Sequence, residues 1–296
     1  MAKVEAVGVI YNTKAEDIMP TVNSLKDQVD CFYLVDNSDN GQNLSVFFKD
    51  DPKVRYISLG DNMGIARAQN EGIKRILEDK ADYILLSDQD TLYPADYVQS
   101  MLGEFKKSQF TNIAAMGPDF IDLKKGGVKQ GFVRFYGLRS KKIYPQNGQV
   151  EVSQIIASGK MIDATKIQDV GLMDESLFID WVDLEWCWRA RAKGYRIIGT
   201  ADVNIKHNLG DYDVKVGRTS YPVRGYIRHY YIMRNAVYLR RRSPYINFGM
   251  RVNLYFKQFK YLAGFVILGK NKSKQLKYSL KAIHDGRNDV LGKIKL

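Results

Sequence analysis

The sequence predicts an α/β fold, on three observations. Short runs rich in Val, Ile and Leu alternate with stretches of helical spacing from Val4 to Asp90. Most of those runs end in clusters of Asp, Asn, Ser or Gly. One of them, Tyr83-Ile84-Leu85-Leu86-Ser87, leads directly into Asp88-Gln89-Asp90. Strands buried on both faces read as continuous apolar runs. Strands alternating with helices build a largely parallel sheet. Carboxylates that follow such a strand stand at the carboxyl edge of the sheet, where open α/β folds bind ligands.

In chain order, Val4 to Tyr11 predicts a first buried strand, closed by Asn12-Thr13. Ala15 to Gln28 carries Ile18, Val22 and Leu25 at helical spacing. Cys31 to Val35 is a second strand, followed by Asp36-Asn37-Ser38. Val54 to Leu59 is a third, and after Gly60-Asp61-Asn62-Met63-Gly64 a helix runs over Ile65 to Glu78. The fourth strand is Tyr83 to Ser87. Pro94 suits the first turn of a helix reaching about Lys107. Ile113 to Pro118 is a further strand, and the Lys-, Gly- and Arg-rich segment from Asp122 to Gln149 is an irregular or hairpin excursion. Val152 to Met161 has an apolar strand pattern that contains Ser158-Gly159, where glycine permits close backbone approach. Val182 to Lys193 is a helix stopped by Gly194. Tyr195 to Ile198 is a short strand; in the stretch Val203 to Gly210 that follows, His207 stands in a polar loop after a Val/Ile pattern.

Bulk properties narrow the function. The 296 residues carry 45 Lys+Arg against 33 Asp+Glu, a net charge of +12, which points to an anionic partner: nucleic acid, a nucleotide-bearing substrate or an acidic membrane surface. Two distant cysteines, Cys31 and Cys187, make no disulfide framework and fit a reducing compartment. No signal-peptide core stands at the N-terminus, and the apolar run Leu262 to Leu268 falls far short of the roughly 20 residues that span a bilayer. The expectation is a cytoplasmic protein.

Several polar residues carry chemistry. Asp88 and Asp90 are hard oxygen ligands suited to Mg²⁺ or Mn²⁺ holding a diphosphate, although Asp also favours plain strand-end turns. His207 is either structural or a nitrogen ligand completing a metal site begun by Asp90. Asp36 and Asn37 offer a carboxylate and an amide for the edge of a nucleobase, or simply a hydrophilic turn. Gly64, in Asn62-Met63-Gly64, opens a helix bearing Arg67 and Asn70. That helix start suits a phosphate, or is capped by Asn62 without any ligand. Asp183 lies in the first turn of a helix, where the dipole favours its ionised form, and could serve as a general base. Asp180 and Glu185 read as N-terminal helix charges, and Trp181 as a sugar-stacking or a core aromatic.

In this order, Asp36-Asn37-Ser38, Asn62-Met63-Gly64-Ile65-Ala66-Arg67-Ala68-Gln69-Asn70, Asp88-Gln89-Asp90, the block Phe178 to Arg189 and His207 resemble the family-two glycosyltransferases with a GT-A fold. The aromatic block Asp180-Trp181-Val182-Asp183-Leu184-Glu185-Trp186-Cys187 and Tyr230-Tyr231-Ile232-Met233-Arg234-Asn235 look most like bacterial rhamnosyltransferases of cell-surface polysaccharide synthesis. Galactofuranosyltransferases are also similar. The resemblance implies a metal-dependent, inverting transfer of a sugar, rhamnose from dTDP-rhamnose first, to a saccharide or lipid-linked saccharide. It implies donor contacts from Asp36, Asn37, Asn62, Gly64, Arg67, Asn70 and Asp88. Asp90 and His207 would hold the Mg²⁺ or Mn²⁺, and Asp183 would be the catalytic base. Trp181, Glu185, Ser158, Gly159 and Arg189 would lie on the acceptor side or support it. The family's acidic pair is reduced here, because Val182 stands where its first member is expected.

The expected division is a GT-A domain over 1–216 and a helical extension over 217–296. From about Gly217, Arg and Lys interleave with Tyr, Phe, Ile and Leu, and helices are expected over Tyr226 to Arg241 and Ile246 to Leu268. Such helices suit either a membrane surface or packing against the catalytic domain. The expected setting is the inner face of the cell membrane. Self-association is left open. A nucleic-acid-binding protein would explain the charge but not Asp88, Asp90 and Asp183, so nucleic acid is not an expected partner.

Overall fold

The computed structural model describes residues 2–39, 44–122, 128–207, 212–216, 219–223 and 225–295. Four parallel strands form one half of its main sheet: β1 (Val4–Ile10), β2 (Cys31–Asp36), β3 (Val54–Ser58) and β4 (Tyr83–Asp88). All seven residues of β1 are buried, as expected of a strand covered on both faces. Helix α1 (Ala15–Leu25) packs through Ile18, Val22 and Leu25, and α2 (Ile65–Glu78) through Ala66, Ile73 and Ile76. Helix α3 (Tyr97–Lys107) begins after a turn in which the Pro94 carbonyl accepts from the Tyr97 N–H at 3.1 Å, so Pro94 precedes its first turn.

Beyond β4 the sheet order continues through β10 (Met161–Asp163), β5 (Ile113–Asp122), β11 (Arg196–His207) and β9 (Gln149–Val152). Strands β10 and β9 run antiparallel to their neighbours, whereas β11 is parallel to β5. The short β6 (Val128–Lys129) pairs with β5, and β7 (Phe132–Tyr136) with β8 (Arg139–Ile143) makes a separate hairpin. The excursion expected after Asp122 therefore contains strands. Helix α4 (Ala164–Val170) leads to α5 (Val182–Ala192), which ends before Gly194 at φ +88°.

Two local expectations are corrected. The Val152–Met161 pattern is not one strand: β9 ends at Val152, β10 starts at Met161, and Gly159 turns the chain at φ +69°. His207 does not stand in a loop. Its backbone closes β11, which continues past Ile198 through a bulge between Thr200 and Asn204. The side chain of His207 lies outside the described residues.

The boundary expected between residues 216 and 217 falls at the end of β12 (Tyr212–Val216), whose hairpin partner is β13 (Thr219–Val223). Three helices follow: α6 (Tyr226–Arg242), α7 (Phe248–Leu268) and α8 (Lys272–Arg287). Phe178 joins Tyr230, Tyr231, Met233, Val237 and Ala282 in one buried cluster, so α6 and α8 share a core with the segment preceding α5. No helix among the described residues is long and apolar enough to cross a membrane.

Candidate active site

The carboxyl ends of β1, β2 and β4 bring the sequence motifs to one edge. Asp36 is buried at the end of β2. Its Oδ1 accepts from the Ser38 N–H at 2.9 Å and its Oδ2 from the Tyr56 hydroxyl at 2.5 Å. Burial, and then this bond to Asp36, push the Tyr56 phenol well above its ordinary value. Asn37 staples two loops, donating to Asn62 Oδ1 at 3.1 Å and accepting from the Met63 N–H at 2.8 Å. Asn62 Oδ1 also accepts from the Gly64 N–H at 3.1 Å. Gly64 itself, at φ +87°, is the residue immediately before α2.

Arg67 and Asn70, on the first turns of α2, both reach the turn before α5. Arg67 is paired with Glu71 at 2.9 Å and Glu175 at 3.2 Å. Asn70 is buried; it donates to the Met173 carbonyl at 3.0 Å and Glu175 Oε1 at 2.8 Å, and accepts from the Met173 N–H at 2.9 Å. Asn70 thus also supports the fold, because its amide locks that turn to α2.

The four residues Ala157 to Lys160 draw the two central carboxylates together. The Ala157 N–H donates to Asp183 Oδ2 at 3.0 Å. The Ser158 hydroxyl donates to Asp88 Oδ2. The Gly159 N–H donates to the Leu86 carbonyl at 2.8 Å, and the Gly159 carbonyl accepts from the Tyr97 hydroxyl at 2.5 Å. Lys160, fully buried, donates from its ammonium to the Asp183 carbonyl oxygen at 3.1 Å. Sequence reasoning picked out Ser158 and Gly159 but missed Lys160; an ionic residue inside the apolar stretch Ile155 to Ile162 was the available signal.

Asp183 is half-buried in the first turn of α5, and its Oδ1 accepts from the Leu184 N–H at 3.0 Å. Desolvation raises its carboxyl above the ordinary Asp value; Lys160 opposes the rise and Asp88 adds to it. A carboxylate of raised basicity at a helix N-terminus is chemically suited to take a proton.

The chain enters α5 through an unusual conformation: Phe178, Asp180 and Trp181 have φ of +65°, +63° and +69°. Each such non-glycine residue costs on the order of 1–3 kcal/mol and persists only where its surroundings enforce it. The enforcement comes from α6. Asn235 Nδ2 lies 2.9 Å from the Leu177 carbonyl, 2.9 Å from Ile179 and 3.0 Å from Asp180. Arg234 donates to the Leu177 carbonyl at 2.9 Å, and the Trp181 indole donates to the Ile232 carbonyl at 3.0 Å. Arg228 pairs with the Asp180 carboxylate at 3.1 Å. The Tyr230–Asn235 block was legible as a motif, but not its hold on this loop.

Trp181 is buried against Trp188, with ring centres 5.9 Å apart. Glu185 is also buried. It forms a two-point pair with Arg189, at 3.1 and 2.9 Å, and Arg189 further donates to the Val170 and Leu172 carbonyls at 2.8 Å each. Glu185 and Arg189 therefore face the scaffold around α4 and bind each other, apart from the Asp88–Asp183 edge.

Asp90 is exposed just past β4. A backbone bridge joins Leu92 to Lys206, which brings the end of β11 beside the chain leaving Asp90. That juxtaposition puts the backbone of His207 near the Asp90 turn. A carboxylate and an imidazole, completed by diphosphate oxygens, are a suitable donor set for Mg²⁺ or Mn²⁺. Among the described residues, no group of three or more His, Cys, Asp or Glu side chains is gathered as a self-sufficient metal cage.

Comparison with known proteins identifies the family. The model of the family described as "Glycosyl transferase family 2" matches residues 7–168. The dTDP-rhamnosyl transferase RfbF of Shigella flexneri is 31% identical over 299 residues, covering 98% of this chain and 97% of that protein. The low-salt glycan biosynthesis hexosyltransferase Agl10 of Haloferax volcanii is 23% identical over 271 residues, with 86% of each chain covered. Among solved structures, TarS of S. aureus superposes with a TM-score of 0.59 at 14% identity, covering 97% of this chain and 53% of that one. GalNAc-T7 with UDP, GalNAc and Mn²⁺ gives 0.58 at 13% identity, covering 98% and 56%. The fold is the GT-A fold of glycosyltransferases, and the chain is a glycosyltransferase that belongs to glycosyl transferase family 2.

Proposed function

We propose that this enzyme moves rhamnose from dTDP-rhamnose, with inversion at the anomeric carbon, to a saccharide acceptor carried on a lipid. The observation that carries the reading is the Ala157–Lys160 turn, which holds Asp88 and Asp183 on one side of the sheet edge. The near-full-length similarity to a dTDP-rhamnosyl transferase supports the choice of sugar.

In this reading, Asp36 and Asn37 receive the base, and Asp88 the ribose. Asn62 and Gly64 shape the loop over the diphosphate, while Arg67 and Asn70 hold it against the 173–175 turn. Asp183 takes the proton from the acceptor hydroxyl as that oxygen attacks the anomeric carbon from the face opposite the nucleotide. Trp181 fixes the wall behind the acceptor, Ser158 and Gly159 set the spacing of the two carboxylates, and Glu185 and Arg189 brace α5. Asp90 and His207 would hold a divalent cation, Mg²⁺ or Mn²⁺, which when bound supplies Lewis-acid stabilisation of the departing diphosphate. Inversion in a single displacement needs no enzyme nucleophile.

A lipid-linked acceptor calls for contact with the inner face of the cell membrane. Phe248, Tyr255, Phe256, Phe259 and Ile267 are exposed along one side of α7, and α8 adds exposed Leu276 and Leu280 among lysines. Such an apolar stripe beside basic residues suits an anionic lipid surface.

The test offers the purified enzyme dTDP-rhamnose, UDP-galactofuranose and other nucleotide sugars with Mg²⁺ or Mn²⁺ and a lipid-linked acceptor, with products read by mass. A deoxyhexose increment from dTDP-rhamnose, absent in Asp90→Ala and Asp183→Asn, is expected. Transfer from a different donor would overturn the sugar assignment, and turnover by Asp183→Asn would overturn the base. Sedimentation with phosphatidylglycerol vesicles, weakened by a Phe256→Asp/Phe259→Asp pair, is the expected result for the membrane face.

A further inference from the structure

Lys160 is among the largest fully buried side chains of the protein, and a lysine is almost never found in that state without a compensating partner. Its position compounds the cost. The ammonium donates to the Asp183 carbonyl in the first turn of α5, where the helix dipole is itself positive and disfavours a cation. It also lies 5.7 Å from the centre of the Trp186 ring, a contact worth too little to offset burial. What does oppose both penalties is negative charge at the same spot: the Asp183 carboxylate and, beyond it, Asp88.

We propose that Lys160 is a positioning residue for proton transfer, whose sealed ammonium keeps Asp183 ionised and aimed while two carboxylates share one edge. This rests on the reading of Asp183 as the base. Among the described residues, the titratable and charged groups around Asp183 are Asp88 at the end of β4, Lys160 ahead of β10 and Cys187 one turn along α5. Asp88 and the desolvating walls favour the protonated carboxylic acid, whereas Lys160 favours the ionised form, with help from the Ala157 and Leu184 N–H groups that donate to the carboxylate. The Cys187 thiol, buried and pushed up, is neutral and does not compete. The backbone of Lys160 is fixed independently, since the Leu86 N–H donates to its carbonyl at 2.9 Å and its own N–H to the Ala157 carbonyl at 2.9 Å. The side chain can therefore be changed while the turn that carries Ala157 and Ser158 stays in place.

The sign follows directly. A base must be ionised to act, so kcat/KM falls as pH drops through the Asp183 pKa. Removing the ammonium raises that pKa and moves the acidic limb to higher pH. The experiment measures kcat/KM against pH for the wild type, Lys160→Gln, Lys160→Arg and Asp183→Asn, with thermal unfolding of each. Lys160→Gln keeps a donor for the Asp183 carbonyl but no charge. It is expected to lose about tenfold or more at about pH 6 and to recover to within about threefold of wild type at about pH 9. Lys160→Arg is expected to keep the wild-type limb. An unmoved limb in Lys160→Gln, or a loss equal at every pH, would overturn the proposal. Should Lys160→Gln not fold, a shifted limb in Lys160→Arg would overturn it and a wild-type limb would support it. Asp183→Asn separates the two ideas: if it stays active the base assignment falls, whereas an inactive Asp183→Asn with an unmoved Lys160→Gln limb removes only the role of Lys160.

Discussion

Gly64 and Phe178 meet so closely that a methyl group on Gly64 would stand 2.6 Å from Cδ2 of Phe178 and 2.7 Å from its carbonyl oxygen. The glycine immediately precedes α2, and the phenylalanine belongs to the positive-φ approach to α5. Gly64→Ala is therefore expected to act on both loops. Strain at φ +87° alone costs about 1–3 kcal/mol, and the contact adds to it. Urea unfolding should show the loss of stability, and calorimetric titration with dTDP should show weakened nucleotide binding.

Asn235 is expected to matter for turnover although it sits far along the chain. Asn235→Ala leaves the carbonyls of Ile179 and Asp180 without this donor, for a stability loss of about 1–3 kcal/mol. Relaxation of the 178–181 conformation should misdirect Asp183, so kcat should fall by more than the affinity for dTDP. Steady-state kinetics beside a binding titration would measure the split.

Asp183→Asn is expected to lower kcat by about 10²–10⁴-fold while nucleotide binding persists. The wild-type profile carries a related expectation. Desolvation raises the Asp183 carboxyl, so the acidic limb of kcat/KM should lie above the ordinary Asp value, with activity lost as pH falls through it.

Glu185→Ala should injure stability rather than chemistry. It strips a buried partner from Arg189, whose side chain is 12% exposed, and breaking such a pair costs about 3–5 kcal/mol. Activity per folded molecule at low temperature should stay near wild type. A specific loss of acceptor affinity without destabilisation would instead assign Glu185 to the acceptor.

Chelation by EDTA is expected to abolish transfer, with recovery on adding Mn²⁺ or Mg²⁺. Asp90→Ala should raise the metal concentration needed for half-maximal rate. Activity assays across a metal titration would read both effects.

Much of the scaffold was legible because burial on two faces writes itself into composition. β1, β2 and β4 are apolar runs, and α2 shows its Ala66, Ile73 and Ile76 face at helical spacing. Asp88 and Asp183 were legible as motif residues. The turn at 157–160 was not, because Ile155, Ala157 and Met161 are buried and a buried turn has the same apolar signature as a buried strand. The length of β11 was hidden by its bulge, where Asp202 interrupts the Val/Ile pattern and accepts from the Gly148 N–H at 2.7 Å. The grip of Asn235 on Leu177, 58 positions away, is a contact that no local periodicity encodes.

Arg234 makes one last connection. The same guanidinium that holds the Leu177 carbonyl also donates to the carbonyls of Val290 at 3.2 Å and Gly292 at 3.1 Å, and the neighbouring Lys293 reaches Asp61 at 2.9 Å in the loop before α2. Hybrid enzymes spliced after β12 would exchange the very struts that set the approach to Asp183. The segments on either side of that splice are not interchangeable parts, and a working hybrid would call for retaining the Arg234–Asn235 framework and redesigning around it.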